Sequence, residues 1–175
     1  MADYQKAFDF LMLVEDSSGK GIVTYDNGGK TRWGVAAEWA VGLPGDFYTT
    51  DAASSRADAR DYYKHMYWVR ICGDAITSDK VAAQFLSIAV NMGVEHAVVL
   101  MQLCLGITQD GICGSETINT LNEKNQIMLL TQFNAAALAR YEAIVRVNPA
   151  LAGNLRGWQD RVTAIYHFPV SAYAA

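Results

Sequence analysis

The chain has 175 residues, enough for one domain or one domain with a small appended module, and 51% of it is apolar, enough for a real core. Only 18% is charged and the formal net charge is −4, which excludes a nucleic-acid binder that works by neutralising phosphate. No apolar run reaches the length of a membrane span and the acidic N-terminus lacks the long apolar stretch of a signal peptide, so neither stable membrane insertion nor conventional export is expected.

In chain order, the spacing predicts a helix over Asp3–Glu15 whose apolar stripe is Tyr4, Phe8 and Leu11, with Glu15 as the next position on it. DSSGKG is a loop signal. Ile22–Tyr25 and Thr31–Val35 read as the strands of one β-hairpin around Asn27-Gly28-Gly29. Helical patterns follow at about 35–41, 54–68, 79–91 and 94–105, with Thr50-Asp51 or Ser54-Ser55 capping the second. Thr108–Ser115 is a glycine-punctuated loop, and Ser115 has the chemistry of an N-cap for a short helix to about Leu121. A long helix is expected at about 125–146, with the stripe Ile127, Leu130, Phe133, Ala137, Tyr141 and Ile144, ended by Asn148-Pro149; a last helix covers about 154–167. The pattern is α+β, mostly helical, with a small N-terminal β-hairpin.

Cys72, Cys104 and Cys113 form no metal-spaced pair, and their odd number fits free thiols in a reducing compartment. Cys104 and Cys113 are near enough in sequence to meet, but no bridge is expected. His65, His96 and His167 show no ligand spacing. Neither a metal nor a cofactor is expected.

Glu15 is the most informative residue. Burial raises the pKa of a carboxyl, and so does the negative end of a helix, so an acid at this position is suited to stay protonated and to donate its proton. The alternative is a glutamate that bends out to solvent where the helix frays. Asp26 stands just before the hairpin turn and Thr31 just after it. With a loop of Asn27–Lys30 these two face each other; with a loop of only Asn27-Gly28, Thr24 opposes Thr31 instead. A helix-end glutamate, a hairpin aspartate and a hairpin threonine suit glycoside hydrolysis, in which one carboxylic acid protonates the leaving oxygen and a second carboxylate orients water or stabilises the transition state. Taken singly, Asp26 is equally a turn-forming residue and Thr31 an ordinary strand residue.

These residues lie in motifs that resemble glycoside hydrolase family 108, the N-acetylmuramidases of phages and bacteria, with a C-terminal part similar to that family's peptidoglycan-binding region. The matching residues are Glu15, then Gly28-Gly29-Lys30-Thr31-Arg32-Trp33-Gly34-Val35, then Tyr63, Tyr67 and Trp68, then Val90-Asn91-Met92-Gly93. Met101–Gly106, Asp110–Thr117 and Gly157-Trp158-Gln159-Asp160-Arg161 follow in the family's order. The chain departs from the pattern where Asp16 and Ser17 replace two glycines after the glutamate, where Ala36 replaces a threonine, and where Leu86-Ser87 replaces Phe-Asp. The acid stays in place; the second carboxylate is Asp26 or Asp16, with Asp26 favoured.

The resemblance implies a lysozyme-like fold, a muramidase region over 1–90 and a helical peptidoglycan-binding-like region over 91–175 packed with it as one unit. It implies Glu15, Asp26 and Thr31 as the catalytic set and bacterial peptidoglycan as the partner; a compact monomer is the default expectation. Tyr25, Trp33 and Trp68 are candidates for stacking on sugar faces, with core packing as the alternative. Asn91 is either a helix C-cap or a substrate contact, and the Asp110–Thr117 loop a structural turn or part of a binding surface. The implied role is a phage endolysin, made in the host cytoplasm and released to the wall through a membrane pore. A wall-binding protein with a degenerate site and a virion-attached lysin are the alternative readings.

Overall fold

The computed structural model describes residues 1–16, 18–26 and 29–169, and all of Asp26 except its side chain. The first helix, α1 (Tyr4–Glu15), is capped by the Asp3 carboxylate, which accepts from the Gln5 N–H at 2.8 Å. It buries Ala7, Phe8, Phe10, Leu11 and Met12, and Glu15 follows Leu11 on the same side.

Three strands follow where one hairpin was expected: β1 (Thr24–Asp26), β2 (Gly29–Arg32) and β3 (Val35–Ala36), antiparallel and in that order. Thr24 pairs with Thr31 and Asp26 with Gly29, which is the shorter-loop register of the two the sequence allowed. Asp26 and Thr31 therefore do not oppose each other; alternation puts positions 24, 26 and 31 on one face, two residues apart diagonally. The Asn27-Gly28 turn lies outside the described residues. Val35 and Ala36, expected to begin a helix, pair with Arg32 and Thr31 instead, and only Ala37–Trp39 coils, as one 3₁₀ turn.

The helix α2 (Ala52–Tyr63) starts at Asp51, whose carboxylate accepts from the N–H groups of Ala53 and Ser54. Its continuation widens to π spacing over Lys64–Trp68, with Val69 N–H bonded to the Lys64 carbonyl. The remaining helices are α3 (Asp79–Met92), α4 (Val94–Leu105), α5 (Ser115–Glu123), α6 (Gln126–Val147) and α7 (Leu155–His167). Gly114, not Ser115, is the cap of α5, and Ile127 is exposed while Leu129 and Leu130 turn inward on α6.

Helix α3 is the centre of the molecule. Nine of its residues, Val81 to Ala89, are buried, and it packs against α1 on one side and against α4, α6 and α7 on the others. A helix covered all round must satisfy its polar groups internally. Gln84 donates to Asn134 of α6 at 2.8 Å, and Ser87 receives the Arg161 guanidinium from α7. The architecture is α+β and mostly helical, as expected from the sequence. No described helix is long and apolar enough to cross a membrane.

Candidate active site

Glu15 is the last residue of α1, and its side chain is only 14% exposed. It does not fray into solvent. Its Oε1 accepts from Arg161 Nη2 at 2.7 Å, and the Arg161 side chain is itself 9% exposed. Arg161 lies on α7, and its other nitrogen, Nη1, donates to the Ser87 hydroxyl and carbonyl at 3.2 and 3.3 Å. The carboxyl that the sequence placed on the buried stripe is therefore one half of a largely shielded, hydrogen-bonded ion pair.

Tyrosines complete the surroundings. Burial, then the neighbouring Glu15 carboxylate, push the Tyr63 phenol well above its ordinary value, so it is a neutral donor, and it donates a hydrogen bond to the Trp33 carbonyl at 3.0 Å. Tyr67, in the π turn, is raised by burial first, with Glu15 adding to the effect and Arg70 opposing it. Tyr141 is pushed up to about 12, by burial against the opposing charge of Arg161. Its hydroxyl donates to Asn91 Oδ1 at 2.7 Å and its ring stacks on Trp158 at 4.9 Å between centroids.

The sheet reaches Glu15 through its second turn. Arg32 and Val35 pair, and Trp33 and Gly34 between them have φ of 51° and 78°. This two-residue connection has positive φ at both central positions, a strained choice for a tryptophan. The Trp33 position is held from several sides. The indole is 3% exposed and donates to Ser55 Oγ at 3.0 Å, its carbonyl takes the Tyr63 bond, and Gly21 lies flat against the ring. At Gly34 a Cβ would stand 2.8 Å from Glu15 Cβ, from Glu15 Oε2 and from the Tyr63 hydroxyl. Position 34 must therefore be glycine on two counts, its φ and its contact with the acid.

Among the sequence candidates, Thr31 is half-buried in β2 and Tyr25 is 73% exposed on β1. Register places Tyr25 on the opposite face of the sheet from Thr31. Among the described residues, Thr31 and Glu15 share no hydrogen bond. The Asp26 side chain lies outside what the structure describes. Its competitor Asp16 is engaged in the loop after α1, accepting from the Ser18 N–H and hydroxyl and from the Gly21 N–H. That carboxylate shapes the loop on which Trp33 rests.

Two tryptophans proposed as sugar platforms belong to the core. Trp68 is fully buried and donates to Asp74 at 2.8 Å, and Trp33 is buried as described, so neither has a ring face free for a sugar. Asn91 is not the cap of α3; Gly93 is, and Asn91 serves as the acceptor for Tyr141. The Asp110–Thr117 loop is built around Gln102, which bonds Asp110, the Ile112 carbonyl, Thr117 and the Gly111 N–H. It is an internally braced turn. All three histidines are exposed.

Sequence reasoning missed Arg161, Tyr63 and Gly34 as neighbours of the acid, although each lies in a motif quoted above. It also missed Trp39, 66% exposed on the 3₁₀ turn after β3. Its carbonyl accepts from the Tyr62 hydroxyl at 3.0 Å, and Tyr62 lines an open hollow of about 430 Å³ with Val41, Leu43, Asp58, Asp61 and His65. Glu15 does not line that hollow.

Residues 16–93 match the family model described as glycosyl hydrolase 108, beginning one residue after Glu15, and residues 96–163 match the model described as "Predicted Peptidoglycan domain". No curated protein matches the chain. Among solved structures, that of Brucella abortus SagA superposes with a TM-score of 0.70 at 21% identity, covering 94% of this chain and 91% of that one, a likeness of fold. The mostly helical α+β fold is thus shared along nearly the whole length. The chain thus joins a glycosyl hydrolase 108 domain to a peptidoglycan domain, a glycoside hydrolase acting on peptidoglycan in which the peptidoglycan domain supplies the arginine that holds Glu15.

Proposed function

We propose that the protein is an N-acetylmuramidase that cleaves the β-1,4 bond between N-acetylmuramic acid and N-acetylglucosamine, with Glu15 as the general acid. The observation that carries this reading is the placement of Glu15, largely shielded at the end of α1 and held by Arg161 through one oxygen. Oε1 is occupied by the guanidinium, and Oε2, beside Gly34, is the oxygen that carries the proton to the leaving group. Asp26 is the second carboxylate, with Thr31 on the same face of the sheet helping to hold the attacking water. Asp16 fits that role less well, because loop donors engage both its oxygens.

A separation of about 6.5–9.5 Å between the two carboxyls would leave room for a water and give inversion at the anomeric carbon. Trp39, exposed on the turn after the sheet, supplies a surface on which a sugar ring stacks, whereas Tyr25 faces away from Thr31. The biological role is a phage endolysin, released to the wall at lysis.

The test is digestion of purified peptidoglycan by the wild-type protein and by Glu15→Gln, with mass spectrometry of the fragments. Muropeptides ending in reducing N-acetylmuramic acid are expected from the wild type, and a loss of at least about 100-fold in the variant. Release of reducing N-acetylglucosamine ends would refute the bond assignment. Sacculi bound by both proteins without any cleavage would replace the enzyme by a wall-binding protein. Lysis of expressing cells only when a membrane pore is co-expressed supports the endolysin role; recovery of the protein in purified virions replaces it by a virion-attached lysin.

A further inference from the structure

Cys72 and Cys113 lie 41 positions apart in sequence and meet in the fold. The Cys72 thiol donates to the Cys113 carbonyl at 2.8 Å, and the Cys113 thiol donates to the Ile71 carbonyl, on the peptide that leads into Cys72, at 3.2 Å. This crossed pair of contacts puts the Cys72 sulfur at the Cys113 carbonyl and the Cys113 sulfur at the peptide that leads into Cys72. The sequence offered Cys104 as the neighbour of Cys113, but Cys104 is on α4 and takes no part.

Both backbones are fixed independently of the thiols. Cys72 is in the left-handed region at φ 53°, between the Val69 carbonyl it bonds and Gly73, whose Cα lies so close to the Trp68 indole that a Cβ would overlap it. Cys113 sits in the turn braced by Gln102 through the Ile112 carbonyl. The two sulfurs are thus presented to each other by rigid segments, one in each of the two family-matched stretches.

We propose that Cys72 and Cys113 are a disulfide site, reduced as the protein is made and closed when it meets an oxidising disulfide. The thiolate of Cys72 attacks one sulfur of a small-molecule disulfide such as oxidised glutathione, and one glutathione thiolate leaves. Cys113 loses its proton and attacks the Cys72 sulfur of the mixed disulfide, and the second glutathione leaves. The protein gives up two electrons and two protons; the small disulfide is reduced to two thiols. Burial, then the adjacent Cys72, push the Cys113 thiol up, which suits it to the second, intramolecular step, where the mixed disulfide is held beside it. In the setting proposed above, the bridge would form once the chain leaves the reducing cytoplasm. It would staple the turn after α2 to the loop before α5, a crosslink that stabilises mainly by restricting the unfolded chain.

The experiment uses the Cys104→Ser protein, leaving only the pair. One sample is incubated folded with oxidised glutathione and one is refolded from denaturant in the same buffer, where both thiols have full access. After alkylation and digestion, mass spectrometry is expected to find the Cys72–Cys113 crosslinked peptide. The midpoint of thermal unfolding should rise by roughly 5–10 °C and fall back on treatment with dithiothreitol. The same treatment of Cys72→Ser should give no rise. Thiols that remain fully alkylated, or that carry only separate glutathione adducts in both samples, would overturn the proposal. So would a bridge that leaves the midpoint unchanged or lowers it, since the geometry would then not be preformed.

Discussion

The Glu15 carboxylate and the Arg161 guanidinium meet at 2.7 Å although 146 positions separate them in the chain. One ends the first helix and the other lies on the last. The stretch that matches the peptidoglycan domain therefore packs a side chain against the carboxylate that ends the first helix, just before the hydrolase match, and cannot be a tether-and-anchor module alone. The pair is buried on both sides, 9% and 14% exposed, and a third group, Ser87, shares the guanidinium.

Replacing Arg161 by Met should act twice. It leaves the Glu15 carboxyl without its partner, a change that costs about 3–5 kcal/mol when one member of a buried pair is removed. It also removes the contact that fixes the Glu15 side chain in place, so turnover should fall by more than the loss of stability explains. Arg161→Lys should restore the charge and part of the turnover with weaker stability, since an ammonium cannot reach Glu15 and Ser87 together as the planar fork does. Unfolding curves and cell-wall turbidity assays separate the two effects. Equal turnover in all three proteins would make Arg161 structural only.

Gly34→Ala tests the contact between the sheet and the acid. A Cβ would stand 2.8 Å from two Glu15 atoms and from the Tyr63 hydroxyl, at a backbone φ of 78°. Strain at a positive φ amounts to about 1–3 kcal/mol, and the carboxyl or the turn must also shift. A shift of about 1 Å at the acid can cost roughly 100-fold in rate. The expected result is a variant that folds with a lowered midpoint and loses far more activity than stability. Wild-type turnover would mean that Glu15 tolerates displacement and does not do the chemistry.

What could be read in the sequence was what depends on nearby positions. The 3.6-residue period put Glu15 on the buried side of α1, the caps at Asp3 and Asp51 follow from side-chain chemistry, and the helical segments were visible from their stripes. The sheet register was open because two loop lengths fit the same residues, and the choice moves Thr24 in front of Thr31 in place of Asp26. Trp33 and Trp68 could not be sorted from sequence, since an aromatic ring suits a sugar face and a core equally well; only the bonds to Ser55 and Asp74 and the near-zero exposure decide it. Arg161 was quoted within a motif, but its partner is 146 positions away and has no local signature.

Trp39 replaces the buried tryptophans as the aromatic to test for glycan contact. Its ring is two-thirds exposed, and its fixed neighbour, the Tyr62 hydroxyl, binds the backbone carbonyl, which any residue retains. Trp39→Ala should therefore leave the unfolding midpoint within about 0.5 kcal/mol of the wild type, the range of surface substitutions. If a sugar ring stacks there, the apparent KM for soluble glycan should rise several-fold with kcat changed less. An unchanged KM would place the glycan elsewhere on the surface.

Acid should unfold the protein through a small set of carboxylates. Burial pushes the Asp79 carboxyl up, but the Lys6 ammonium at 2.6 Å and the Asp3 N–H at 2.8 Å outweigh it and hold the group below its ordinary value. Asp51 is held down by the Ser54 hydroxyl first, and Asp110 by the Ile112 N–H first and then Gln102. A carboxyl lower in the folded than in the unfolded state contributes stability that is fully present above the unfolded value, about 4, and is lost as pH falls through the folded one. The unfolding midpoint should thus be insensitive to these groups near neutrality and fall steeply below about pH 4. Asp79→Asn should lower the midpoint at pH 7 and close most of that gap at pH 3, because the wild-type carboxyl is then giving up its advantage. A gap of constant size across that range would show that the Lys6–Asp79 contact stabilises through packing and not through charge.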